Sequence, residues 1–214
     1  MNTSNKKQAT NQVTIALDAM GGDHGPSETV KAAIESIGND SSLNIALVGD
    51  IEEISDELKK YPTNSQIQII PSKGYIKESE SPILALKKNP EASIAIATML
   101  VKSQKADALV SMGSTGASMA TAAHILGLVD GFERPALGGP ILGIAPQTIF
   151  IDLGANVDCR PMQLFTFGII GSVFAQQFWK IKNPKVGLLS VGTENSKGNR
   201  QIKETAELLK NSKL

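Results

Sequence analysis

The chain carries one cysteine, Cys159, and no surplus of charge, since 21 lysines and arginines meet 21 aspartates and glutamates across 214 residues. A single cysteine excludes an intramolecular disulfide framework and suits a reducing compartment. Balanced charge leaves no overall field to recruit nucleic acid or an anionic membrane, so any anion site has to be local. Long apolar runs are missing too. The longest, Phe165 to Ala175, is broken by Thr166 and Ser172 and falls short of the roughly 18 residues a membrane span needs. It reads as a buried helix. Met1 to Gln12 is polar, with neither the apolar stretch of a secretory signal nor the arginines of an organelle-targeting helix, and it reads as a frayed tail. No internal repeat and no shift of composition divide the remainder, so residues 13–214 are expected to form a single α/β domain.

What the sequence does contain is alternation. Val13 to Leu17 is a short β-branched apolar run, followed by small residues and then by helical spacing from Pro26 to Ile37, closed by Gly38. Leu43 to Val48 and Ile51 to Lys60 repeat the pattern, and Gln66 to Ile70 adds a third strand. Helical spacing over Glu91 to Ser103 leads to a strand at Asp107 to Ser111, a Gly-rich turn and a helix over Ala117 to Gly127. Thr148 to Ile151, a long helix after Pro161, a strand at Val186 to Val191 and a helix after Arg200 complete the series. Continuous apolar strands between helices predict a three-layer α/β fold, with a mostly parallel sheet covered on both faces. The one connection long enough for a functional flap is Pro71 to Pro82, whose charges equally suit a solvated loop.

In such a sheet the loops leaving the strand C-termini share one edge, where ligands bind. Five loops fit that description: Asp18 to Pro26, Gly49-Asp50, Met112 to Ala117, Asp152 to Asp158 and Gly192 to Asn199. In the third, Gly113 and Gly116 leave backbone N–H groups free for an anion at a helix start, and Ser114 and Thr115 add hydroxyl donors. A tight turn with Ser114 or Thr115 as the helix N-cap is the alternative. Neither a G-x-G-x-x-G fingerprint nor a P-loop is present, so no nucleotide follows. In the first loop Gly21 and Gly22 permit unusual backbone angles, and Asp18 and Asp23 can accept loop N–H groups. Carboxylates beside phosphate repel it unless they are protonated, paired with a base or bridged by a metal. His24 is either a general acid, a phosphate donor or structural. Lys197, with Gly198 and Asn199, suits anchoring phosphate or polarising a carbonyl, or else is solvated loop. Arg134 and Arg160 supply charge or pair with loop acids. Cys159 as a nucleophile has no histidine near it in sequence.

Taken in order, Ala-Leu-Asp-Ala-Met-Gly-Gly-Asp, Leu-Val-Gly-Asp, Gly-Ser-Thr-Gly-Ala, Glu-Arg-Pro-Ala-Leu, Asp-Leu-Gly-Ala-Asn-Val-Asp and Gly-Thr-Glu-Asn-Ser-Lys-Gly-Asn resemble the phosphate acyltransferases of bacterial phospholipid synthesis, the PlsX family. The resemblance runs from Val13 to the end of the chain. It implies transfer of an acyl group from acyl carrier protein to inorganic phosphate, giving acyl phosphate and free carrier protein. A cytoplasmic homodimer, peripheral to the membrane, is implied with it, as is a fold like that of isocitrate and isopropylmalate dehydrogenases, but with no cofactor and no metal. For that reaction the residues expected to hold substrate are Gly113 to Gly116 with Asp18, Gly21, Gly22, Asp23 and Asp152. Lys197, Asn199, Asn156 and His24 are expected to serve the chemistry, with Asn156 donating to the thioester oxygen. The sequence departs from the family pattern at Met112, Ser114 and Ser81. Family members also continue for about another domain-half, with a further Asp-Gly-Phe-Thr-Gly-Asn type motif and the segment linked to membrane contact. The chain is therefore expected to be the N-terminal two-thirds of such an enzyme. The rival readings are a metal- and nicotinamide-dependent decarboxylating dehydrogenase and a non-catalytic binding fragment.

Overall fold

A computed structural model describes residues 12–140, 145–192, 194 and 197–212. The expected N-terminal tail, apart from Gln12, lies outside the described residues. Two compact units are present, one up to Gly127 and one from Leu128 onward, and each is taken separately.

The first unit follows the predicted alternation. Its strands are β1 (Val13–Asp18), β2 (Leu43–Gly49), β3 (Ile67–Pro71) and β4 (Ala108–Ser111); its helices are α1 (Pro26–Asn39), α2 (Ile51–Leu58), α3 (Pro82–Lys88), α4 (Ser93–Lys102) and α5 (Thr115–Ile125). The four strands form one parallel sheet in the order β3-β2-β1-β4. Side chains alternate across a strand, and the alternation assigns the two faces. Leu17, Ile45 and Leu47 pack with Val30, Ala33 and Ile37 of α1 and Ile54 of α2. Ala16 and Val48, one residue out of step, pack with Ala97 of α4. Helices therefore cover both faces here, and the central strands β1 and β2 read as apolar because both of their faces are buried, whereas β3 and β4 at the edges are partly exposed. Proline at the first position starts α1 and α3, and Asp50 caps α2 by accepting from the N–H groups of Glu52 and Glu53 at 2.9 and 3.1 Å.

The second unit departs from the expectation. β6 (Ile149–Ile151) pairs antiparallel with β5 (Gly138–Pro140), not as a further parallel strand. Gly138 permits the pairing, because any Cβ there would strike the Phe150 carbonyl. The strand predicted at Val186 to Val191 is absent: these described residues are irregular, with Leu189 88% and Val191 76% exposed. An apolar run becomes a strand only where another strand supplies ladder partners, and none of the described strands does so. The helices do form, as α6 (Pro161–Phe178) and α7 (Arg200–Lys210), which pack together. α6 is only partly the buried helix expected, since Phe167 and Ala175 are buried while Val173 and Phe178 are exposed. No described helix is long and apolar enough to cross a membrane.

Leu47 is fully buried in the first unit, so Leu47→Ala is expected to cost about 3 kcal/mol, as deletions in closed cores do. Val191→Ala is expected to stay within about 0.5 kcal/mol. Urea unfolding of the two variants beside the unaltered chain measures both.

Candidate functional site

β1 and β4 lie side by side, and their last residues, Asp18 and Ser111, are ladder partners. The Ser111 hydroxyl donates to Asp18 Oδ2 at 2.7 Å, and Ser111 Oγ in turn accepts the Gly113 N–H at 3.1 Å. This chain binds the Asp18 loop to the Gly113 loop. Gly21 seals the contact: a Cβ at this position would lie 2.7 Å from the Gly113 nitrogen and 3.0 Å from both Asp18 Oδ2 and Ser111 Oγ. Gly22 follows at φ +87°, a conformation glycine adopts without strain.

Beyond Gly113, the chain enters α5. Ser114 is its N-cap, accepting the Ala117 N–H at 3.3 Å, so the structural reading of that serine holds. Its hydroxyl proton stays available. The N–H groups of Ser114, Thr115 and Gly116 meet no protein acceptor among the described residues. Together with the helix dipole they form an electropositive cradle. The Gly113 N–H does not belong to that cradle, being spent on Ser111. Gly116 lies close to Pro82, 3.0 Å from where its Cβ would sit.

A cavity of about 250 Å³ opens here, walled by Asp18, Gly21, Gly22, Asp23, Ser111, Gly113, Ser114 and Ser118. The long connection from Pro71 supplies the remaining wall through Tyr75, Ile76, Lys77 and Glu78. Ile76 is buried among Leu86, Ile94 and Ala117, which fixes the segment against α5. Its ends are held too, by Lys73 N–H to the Glu91 carbonyl at 2.8 Å and Lys77 N–H to Glu80 Oε2 at 2.9 Å. Tyr75, Lys77 and Ser111 were absent from the residues singled out by sequence. For Ser111 the available signal was its place as the polar last residue of an apolar parallel strand.

The other predicted residues fall elsewhere. His24 is exposed and does not line this cavity; its carbonyl accepts from the Ser27 hydroxyl at 2.9 Å. Thr115 is exposed and does not line it either. In the second unit Asp152 organises its own loop, accepting from Leu137 N–H and Asn156 N–H, both at 2.7 Å. The Asn156 amide donates to the Pro135 carbonyl at 3.0 Å and to Asp152 Oδ2 at 3.2 Å, which engages both of its hydrogens. Asn199 is the N-cap of α7, taking the Ile202 N–H at 2.9 Å. Lys197 is exposed and forms no ion pair among the described residues; Thr193, Asn195 and Ser196 of its loop lie outside them. Arg160 pairs with Glu133 at 3.1 Å, the pairing role foreseen for it. Burial and the nearby Asp152 push the Cys159 thiol above its ordinary range, against the pull of Arg134 and with a further push from Asp158. That disfavours the thiolate a nucleophile requires. No group of three or more His, Cys, Asp or Glu able to hold a metal occurs among the described residues.

A family model described as "Fatty acid synthesis protein" matches residues 13–214. The chain belongs to the fatty acid synthesis protein family. It is 44% identical over 203 residues to a phosphate acyltransferase of Dictyoglomus turgidum, covering 94% of this chain and 60% of the relative. A phosphate acyltransferase of Clostridium acetobutylicum is 41% identical over 201 residues, with 94% and 61% covered. This family member thus spans about 60% of the length of those relatives. Among solved structures it is similar to a phosphotransacetylase from Streptococcus pyogenes, with TM-score 0.62 and 19% identity over 94% of this chain and 66% of the other. A phosphotransacetylase from Staphylococcus aureus gives TM-score 0.62 at 20% identity, with 93% and 64% covered. At such identity the likeness is one of fold.

Two outcomes follow for this family member. Gly21→Ala is expected to cost about 1–3 kcal/mol, because the Gly113 backbone cannot yield to the new methyl. Gly38→Ala, with nothing near its Cβ position, is expected to be neutral or stabilising by up to about 1 kcal/mol; urea midpoints compare them. Cys159 in the folded chain is expected to react with iodoacetamide more slowly than free cysteine at pH 8. Its rate should climb only at higher pH, because the raised pKa retains the proton.

Proposed function

We propose that the chain carries the phosphate-binding part of an acyltransferase that converts acyl-[acyl carrier protein] and inorganic phosphate to acyl phosphate and free carrier protein, in fatty acid and phospholipid synthesis. The observation that carries this reading is the small cavity at the start of α5, lined by Ser114 and by Gly21, Gly22 and Gly113, beside a helix start whose Ser114, Thr115 and Gly116 N–H groups have no acceptor among the described residues. Family membership and the name shared by the relatives support it. A parallel sheet order with helices on both faces supports assigning the first unit to the isocitrate and isopropylmalate dehydrogenase-like group.

In the reaction, a phosphate oxygen attacks the thioester carbonyl carbon. The C–O bond forms, the C–S bond breaks, and the carrier-protein sulfur leaves and takes a proton. Phosphate near neutral pH is already nucleophilic and a thiolate is a good leaving group, so positioning and charge stabilisation suffice. The start of α5, from Gly113 to Gly116, holds phosphate, while Asp18, Gly21, Gly22 and Asp23 form the facing wall. Lys197, in the second unit, is assigned to stabilising anionic charge, on the strength of an exposed ammonium that forms no ion pair among the described residues. Asn199 and Asn156 each hold their own loop, Asn199 as the cap of α7 and Asn156 through Asp152. His24 is assigned as a proton donor on the strength of its exposed position directly after Asp23, which lines the cavity. Action as a cytoplasmic homodimer at the inner membrane face, with acyl carrier protein as partner, belongs to the same proposal and is supported by the sequence resemblance.

The test is release of carrier-protein thiol from acyl-[acyl carrier protein], with nicotinamide and CoA omitted. Release is expected to depend on phosphate, and Ser114→Ala to lower kcat/KM for phosphate about tenfold, in line with loss of one hydrogen bond to a charged group. Equal release with and without phosphate contradicts the assignment.

A further inference from the structure

Among the residues that line the cavity at the start of α5, three carry a carboxylate, Asp18, Asp23 and Glu78, and Lys77 is the one cation. A phosphate that enters adds negative charge to a wall already rich in it, so a base within reach is needed to compensate. Asp18 is buried and its Oδ2 takes the Ser111 hydroxyl at 2.7 Å, whereas Asp23 and Glu78 are exposed. Lys77 is exposed as well and forms no ion pair among the described residues. The other lysine of the same connection, Lys73, is committed to Glu91 at 2.8 Å and does not line the cavity. The backbone of Lys77 is anchored, by the buried Ile76 before it and by its own N–H to Glu80 Oε2 at 2.9 Å. Only the rotamers of its side chain remain to be ordered by a ligand. The α5 wall supplies Ser114 and, one turn further along the same helix face, Ser118. The Ser114 hydroxyl accepts from the Ala117 N–H and keeps its proton, while the Ser118 hydroxyl makes no hydrogen bond among the described residues.

We propose that Lys77 is the phosphate-anchoring residue of this site, its ammonium donating to phosphate oxygens from the connection's wall while the Ser114 and Ser118 hydroxyls donate from the wall of α5. A lysine offers a compact charge and three donors on a flexible stem, which suits a tetrahedral anion that can turn in its site. The same charge offsets the carboxylates of Asp23 and Glu78, which on their own repel the anion. The segment from Tyr75 to Glu78 is thereby a functional wall of the cavity, and its fixed backbone is what distinguishes Lys77 from a solvated loop lysine. The inference rests on reading the cavity as the phosphate site.

Calorimetric titration of the full chain with inorganic phosphate at fixed ionic strength tests it, beside Lys77→Gln, Lys77→Arg and Lys73→Gln. Lys77→Gln is expected to weaken phosphate binding at least about fivefold, and Lys77→Arg, which keeps the charge, to stay within about threefold of the unaltered chain. Lys73→Gln removes an equal charge from the same connection away from the cavity and should also stay within about threefold. Equal affinity in Lys77→Gln and the unaltered chain overturns the role of Lys77 and leaves the phosphate site standing. Equal weakening by Lys77→Gln and Lys73→Gln assigns the effect to the general field and overturns that role too. Binding of no phosphate by the unaltered chain removes the phosphate site and the inference with it. Should Lys77→Gln not fold by circular dichroism, acetylation of the unaltered chain by acetic anhydride, followed by peptide mass spectrometry, decides. Saturating phosphate is expected to slow modification of Lys77 at least about threefold relative to Lys73, and an unchanged ratio overturns the inference.

Discussion

The hydrogen bond between Asp18 and Ser111 sets what the first unit can do. It joins residues 93 positions apart that the parallel register of β1 and β4 places side by side. A contact of that kind exists only once the sheet has formed, and the Gly21 to Gly113 approach follows from it. Close packing of two glycine loops brings Ser114, the cap of α5, to the cavity wall, next to N–H groups that have no acceptor among the described residues. Substituting either loop with bulkier residues separates the two walls. The sheet and the cavity at the start of α5 therefore have one structural origin.

Much of the first unit was legible in sequence because its strands are short apolar runs between helices with clear start signals. Val13, Leu43 and Ile67 begin strands close to where patterning put them, and Pro26 begins a helix. The second unit was less legible. Val186 to Val191 has the composition of a buried strand, but composition cannot supply a ladder partner. β5, from Gly138 to Pro140, has no strand signal and forms through pairing with β6. Helix α3 escaped notice because its seven residues begin where the Pro71 to Pro82 connection ends and stop before the helix read from Glu91, a stretch assigned to no element.

The site was legible by residue type more than by role. Gly113 to Gly116 drew attention as an anion loop, and the structure divides that loop's work: Gly113 N–H goes to Ser111, Ser114 caps the helix, and the following N–H groups remain uncommitted. Asp152, Asn156 and Asn199 have the chemistry of catalytic groups but use their polar atoms to hold loops and a helix end. In the opposite direction, Tyr75 and Lys77 reach the cavity wall because Ile76 is buried against α5. A single sequence shows which side chains can bond, while burial and register decide which bonds they make.

The central claim is that phosphate sits at the start of α5. Amide proton–nitrogen NMR spectra of the full chain, recorded during phosphate titration, test it directly. Saturable shifts largest at the N–H groups of Ser114, Thr115 and Gly116 are the predicted result. Unchanged resonances there, or saturable shifts confined to other parts of the chain, contradict it.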